Sequence, residues 1–252
     1  MLQKLFLSAF LPAFLVATLA LSGSAAAESG LNDAQKKDVE KVVQDYIIKN
    51  PEILMRALQQ YRISQQNAER QQARENLLSL SAALNVNQAS PVIGNPNGDV
   101  TVVEFFDYRC GYCKKVFPTI QALLKEDGNI RYVLKEFPIL GPVSVVASQV
   151  ALAVWNTAPD KYMAFHTELM TARGQLSEEK IFSIAEDLSI DVDGLRKAMN
   201  TAVVTGELNK NMELAKSLGI EGTPAFVIGE ELAPGAIGMD ALKRMIALAR
   251  KG

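Results

Sequence analysis

Between residues 32 and 84, apolar side chains recur every three or four positions against Gln, Glu, Lys, Arg and Ala, with one proline and no glycine. That is the pattern of helices with a single apolar stripe. The spacing predicts a first helix over Asp33–Lys49, capped at Asn32 or Asp33, with Val39, Val42, Val43, Tyr46 and Ile47 on one face. Asn50-Pro51 ends it, because the residue before a proline is pushed out of the helical region, and Pro51 can open a second helix at its first position. The second helix begins apolar with Ile53, Leu54, Ala57, Leu58 and Tyr61, turns polar over residues 62–76, and resumes with Leu77, Leu78 and Leu80. A 4-3 spacing through Leu54, Leu58, Tyr61, Gln65, Ala68 and Gln72 is only half apolar, so two readings stay open: a self-association arm and a monomeric helical linker.

Residues 85–99 hold Pro91, Gly94, Pro96 and Gly98, a cluster of breakers that marks a domain boundary near residue 90. The pattern then changes period. Val100–Phe106 is nearly continuous in β-branched and aromatic residues, as a buried strand is. Val116, Ile120, Leu123 and Leu124 follow on a helical stripe, and residues 130–137 read as a second strand closed by Pro138. Residues 144–218 carry no comparable strand signal and break into helical runs near Pro159, Gly174, Asp191 and Gly206. Ala225–Ile228 is strand-like, and residues 239–250 form an amphipathic closing helix. Strand, helix, strand, helical block, strand, helix is an α/β order with a helical insertion.

Ahead of all this lie Lys4, an apolar run over residues 5–21 and the small-residue exit Ala25-Ala26-Ala27. This reads as an export signal cleaved after Ala27, the alternative being an uncleaved anchor. The run is short for a spanning helix, which needs about 20 residues. The chain has 26 Lys and Arg against 28 Asp and Glu, interspersed, and so lacks the basic footprint expected of a nucleic-acid partner. An exported chain sits where disulfides persist, yet this one has two cysteines, three positions apart. Closing so short a loop removes little unfolded-chain entropy, so reactivity explains the pair better than stability does.

Cys110-Gly111-Tyr112-Cys113 stands between the first strand and its helix, which puts Cys110 at the helix N-terminus. Free backbone N–H groups and the helix dipole favour a thiolate there, so Cys110 is the expected nucleophile and Cys113, one turn further in, the expected resolving thiol.

The run Glu104-Phe105-Phe106-Asp107-Tyr108-Arg109-Cys110-Gly111-Tyr112-Cys113 resembles the active-site segment of the DsbA-like branch of the thioredoxin superfamily. Gly222-Thr223-Pro224-Ala225-Phe226 resembles its cis-proline loop, and residues 144–218 resemble its inserted helical domain. Val39-Glu40-Lys41-Val42-Val43-Gln44-Asp45-Tyr46 with Lys49-Asn50-Pro51-Glu52-Ile53-Leu54 resembles the extension of the suppressor-of-copper-sensitivity protein C group. The resemblance implies a thioredoxin fold over residues 91–252, preceded by a helical arm over residues 28–90. It implies a periplasmic disulfide isomerase or reductase acting on exported, cysteine-containing proteins. It also implies an electron donor in the inner membrane and a homo-oligomer, trimer favoured, assembled through the arm. No cofactor or metal is implied. A dithiol oxidase and a copper-binding envelope protein, the latter because paired thiolates suit Cu(I), remain the alternatives.

The resemblance places Glu104 under the cysteines, where a buried carboxylate of raised pKa can move the resolving thiol's proton. Lys135, on the neighbouring strand, is its expected charge partner, the alternative being an exposed ion pair at a sheet edge. Thr223 before a cis Pro224 is expected to offer backbone hydrogen bonds to a substrate beside Cys110, with Gly111 and Tyr112 completing the contact surface. The sole histidine, His166, and Trp155 are read as structural.

Overall fold

The computed structural model describes residues 30–85 and 89–251; the expected export signal lies outside them. Contacts divide the chain into two compact units, one ending at Tyr61 and one beginning at Arg62.

The first unit holds α1 (Asp33–Lys49) and the opening turns of α2 (Pro51–Ser79). Asn32 caps α1 reciprocally: its side chain accepts from the Gln35 N–H at 2.9 Å, and the Gln35 side chain accepts from the Asn32 N–H at 2.9 Å. Asn50 closes it, its N–H donating to Tyr46 and Ile47 carbonyls, and Pro51 starts α2 where its missing N–H costs nothing. No residue of α1 is buried, and its apolar stripe, with Leu54, Leu58 and Tyr61 of α2, is exposed.

The second unit is built on a five-stranded sheet of order β1-β3-β2-β4-β5. The strands are β1 (Val92–Gly94), β2 (Val100–Phe106), β3 (Ile130–Glu136), β4 (Ala225–Ile228) and β5 (Glu231–Pro234). The central pair β2·β3 is parallel, joined through α4 (Gly111–Glu126), and the remaining pairs are antiparallel. The sequence pattern does not reveal β1 and β5, which are edge strands of three and four residues.

Strand alternation sorts the two faces. Val102, Phe106, Tyr132, Leu134 and Phe226 join one core with α4, the helical block and α10 (Met239–Ala249). Val103, Phe105, Val133 and Val227 form the other, covered by Leu77 at the end of α2, Leu84 of α3 (Ser81–Asn85) and Leu214 and Ala215. Residues expected to belong to the arm thus complete the core of the second unit. The helical block comprises α5 (Pro142–Thr157), α6 (Pro159–Thr171), α7 (Glu178–Asp187), α8 (Val192–Ala198) and α9 (Ala202–Ser217). Its core is continuous with that of the sheet, and α9 contributes Val204 and Leu208 to one face and Leu214 to the other. Lys114 on α4 ties the block to the sheet, donating to the Leu169 and Ala172 carbonyls at 3.0 and 3.1 Å, the unpaired end of α6.

Candidate dithiol site

Cys110 is the N-cap of α4, in extended conformation, and Gly111 is the first helical residue. Both cysteines are free thiols. Cys110 keeps 6% of its surface exposed and Cys113 none, so an incoming disulfide meets Cys110 first. The Cys110 S–H donates to the Thr223 carbonyl at 3.2 Å, and the Thr223-Pro224 peptide is cis. Tyr112, two residues after Cys110, is 67% exposed, and Pro224 is buried before β4.

The two thiols are driven apart electrostatically. A hydrogen bond from the Cys113 thiol, with further ones from the Thr223 side-chain hydroxyl and from the backbone N–H groups of Cys113 and Tyr112, pulls Cys110 down to about 5 against the opposing effect of burial. The reciprocal interaction with Cys110, burial and the negative charge of Glu104 push Cys113 far up. At neutral pH the outer sulfur is a thiolate and the inner one keeps its proton, the division that stepwise thiol–disulfide exchange requires.

Glu104 lies beneath this pair, 3% exposed, on the β2 face shared with Tyr132. Burial raises it to about 7, against the lowering effect of the Tyr132 hydroxyl, which donates to Oε2 at 2.7 Å. Its Oε1 has no hydrogen-bond partner among the described residues. A carboxyl titrating near neutrality is suited to exchange protons with a buried thiol.

Lys135 is not its partner. Glu104 stands in register with Leu134, so the next residue, Lys135, points to the opposite face of the sheet. There it is wholly buried, donates to Ser90 Oγ at 2.7 Å and to the Ala83 carbonyl at 3.3 Å, and lies 3.7 Å from Glu207. Ser90 in turn donates to Glu207, which closes the cluster. The neighbouring strand is the right one, but the expectation fails on its register: Glu104 pairs with Leu134, and counting by two from there along the same face selects Tyr132, not Lys135. The alternative of an exposed edge pair fails as well, since β2 is central.

His166 is buried among Phe106, Tyr108, Phe117 and Tyr162, with Nδ1 2.9 Å from the Tyr108 hydroxyl. Burial lowers it to about 3, so it is neutral and structural. Among the described residues no group of three or more His, Cys, Asp or Glu side chains is placed to hold a metal ion. The sequence reading also passed over Asp107, whose buried carboxylate binds the turn before Cys110.

Residues 101–247 match the DSBA-like thioredoxin domain, and residues 35–68 match the copper resistance protein ScsC N-terminal domain. Disulfide bond formation protein D of Bacillus subtilis is 25% identical over 175 residues, 66% of this chain and 79% of the relative. A thioredoxin-like oxidoreductase from Silicibacter pomeroyi is 40% identical in a superposition covering 68% of this chain and 98% of the other, with a TM-score of 0.66. Proteus mirabilis ScsC in a transitional conformation is 33% identical, covering 88% of this chain and 99% of its own, with a TM-score of 0.65. The family match spans the dithiol, the carboxyl beneath it and the Thr223-Pro224 loop, and the chain belongs to the DsbA-like thioredoxin family of thiol–disulfide oxidoreductases, with an ScsC-type N-terminal domain ahead of it.

Proposed function

We propose that this oxidoreductase is a periplasmic disulfide isomerase and reductase acting on exported proteins with wrongly paired cysteines. The Cys110 thiolate attacks one sulfur of a substrate disulfide, forming a mixed disulfide and releasing the other substrate sulfur as a thiolate. In isomerisation, a substrate thiolate then attacks the mixed disulfide, a new substrate disulfide forms and Cys110 leaves as thiolate, so no electrons are gained or lost. In reduction, Cys113 passes its proton toward Glu104 and attacks Cys110; the substrate leaves fully reduced and Cys110–Cys113 becomes a disulfide. Two electrons from a dithiol donor in the inner membrane restore it. Thr223 and Pro224 would line the substrate strand, with Gly111 and Tyr112 facing it.

The observation that carries this reading is how the Cys110 thiolate is held. The groups that stabilise it are a thiol, Thr223 and backbone N–H groups, none of them cationic. A cation would stabilise the reduced form further and drive the pair toward a strong oxidant. The exposed stripe of α1 supports assembly through the arm, trimer favoured, and residues 1–27 support export. The second reading, a dithiol oxidase, draws on the lowering of Cys110 to about 5, since a stabilised thiolate favours the reduced form.

Reactivation of a scrambled-disulfide substrate, compared with oxidation of a reduced one, tests the choice. Faster reactivation with a reduction potential near that of protein disulfide isomerase, about −180 mV, is expected. A potential near −120 mV, roughly that of the strongest oxidases, without reactivation would select the oxidase.

A further inference from the structure

Asp107 directly follows β2 and opens the short turn that delivers Cys110 to the start of α4. Its side chain is wholly buried, and the exchange steps make no use of it. Each of its oxygens takes two donors. Oδ1 accepts from the Arg109 N–H at 2.7 Å and the Ser144 hydroxyl at 2.8 Å. Oδ2 accepts from the Ile139 and Leu140 N–H groups at 2.9 and 3.0 Å. A buried carboxylate is costly unless its lone pairs are met, and here four neutral donors meet them.

The main chain of the same residue serves the cysteines. Its carbonyl accepts from the Cys110 N–H at 3.0 Å, and its N–H donates toward the Cys113 sulfur. The loop on the far side is fastened back to the turn as well. Arg109 donates from its guanidinium to the Leu140 carbonyl, and Gly141 holds φ +104° at the N-cap of α5, where an added Cβ would lie 3.4 Å from that guanidinium. One side chain therefore joins the turn carrying the dithiol to the Ile139–Leu140 loop and, through Ser144, to the first turn of α5.

We propose that Asp107 is a positioning residue that holds the Cys110 turn and the Ile139–Leu140 loop as one unit and thereby sets the alignment of hydrogen bonds on the attacking sulfur. This rests on the reading of Cys110 as the attacking thiol. Hydrogen bonds to a thiolate are directional and weaken steeply with misalignment, so a turn released by a fraction of an ångström loses part of its stabilisation. An asparagine at this position keeps the shape but presents N–H donors toward one pair of donors, so about two of the four bonds are lost.

The test is Asp107→Asn in the full-length reduced protein, with the rate of Cys110 alkylation by iodoacetamide followed from pH 4 to 8 beside the melting temperature. The thiolate titration of Cys110 is expected to move upward, with the rate at pH 5 falling roughly three- to tenfold as the thiolate fraction falls. An unchanged titration with a lower melting temperature would reduce Asp107 to a structural role. A titration moved downward would mean that only its negative charge acts on Cys110, and would equally overturn positioning. Should Asp107→Asn fail to fold, the Ile139 and Leu140 amide protons of the unsubstituted protein decide the matter. They are expected to shift with pH in step with Cys110, and no such step overturns the proposal. Failure of the underlying reading has a different signature: an unsubstituted protein in which no acidic Cys110 thiolate titrates.

Discussion

Helices α1 and α5 are nearly equal in length, 17 and 16 residues, yet α1 buries nothing and α5 buries eight side chains. The difference shows two ways of specifying a helix. α1 is fixed locally, by the Asn32–Gln35 capping box, by Asn50 and by Pro51, and its apolar stripe is left uncovered. Val42, Tyr46 and Ile48 are each more than half exposed. Full burial of such side chains yields about 1.5 to 3 kcal/mol each, so these exposed residues leave several kcal/mol of apolar burial unrealised. α5 has no side-chain cap and is held by packing, with Ser148 inside the core donating to Glu136 at 2.7 Å. The second unit buries polar groups that depend on particular partners, as Ser148 and Glu136 do, which makes it sensitive to single changes where the arm is tolerant.

That contrast can be broken most directly at the dithiol. Cys110→Ser is expected to abolish exchange while leaving the melting temperature of the protein nearly unchanged, and Cys113→Ser to leave Cys110 able to trap substrates as mixed disulfides. Faster alkylation of Cys113 than of Cys110 in the reduced protein would reverse these roles. Next in size is Lys135→Met, which leaves Glu207 buried without its cation and should destabilise the fold by about 3 to 5 kcal/mol, read from denaturant midpoints. A loss below about 1 kcal/mol, the range of surface pairs, would show that the cluster is solvated.

Glu104→Gln should have a smaller effect of opposite sign. Glu104 titrates near 7 in the folded protein against 4.5 as the ordinary value, so the folded state holds the extra proton between these limits. Stability is therefore full below the ordinary value and declines as pH rises through about 7. The glutamine variant escapes that decline. At pH 8 it should be more stable than the parent by up to roughly 3 kcal/mol, at about 1.4 kcal/mol per pKa unit, while releasing mixed disulfides more slowly. Unchanged turnover across neutral pH would remove Glu104 from proton transfer.

The smallest effect on folding is expected from the arm. Removing residues 28–61 should leave the stability of the second unit within about 0.5 kcal/mol, as for surface changes, while converting an oligomer to a monomer and shifting activity from isomerisation toward oxidation. The cut belongs at Tyr61, because a deletion reaching residue 84 would take Leu77 and Leu84 out of the second core. Sedimentation of the intact protein checks the premise; a monomer at micromolar concentration would end it.

Much of what is set by contacts a few residues apart was legible in the chain, though not the β4–β5 hairpin, whose second strand is short and exposed at the sheet edge. The bounds of α1 followed from Asn32 and Pro51, β2 and β3 from their β-branched runs, and the place of Cys110 at a helix start from the strand and stripe that flank it. The resemblance supplied Glu104, Thr223 and Pro224, and the structure brings them together with the cysteines. What the chain by itself did not reveal depends on register and on distance in sequence. The parallel pairing of β2 with β3 decides that Tyr132 meets Glu104 and sends Lys135 through the sheet to Ser90 and Glu207, residues 45 and 72 positions away. The same holds for Asp107, whose partners Ile139, Leu140 and Ser144 lie beyond an intervening helix and strand. Periodicity reports which side of an element is apolar, but the partner of a buried charge is chosen by which strand lies alongside, and only the assembled sheet fixes that.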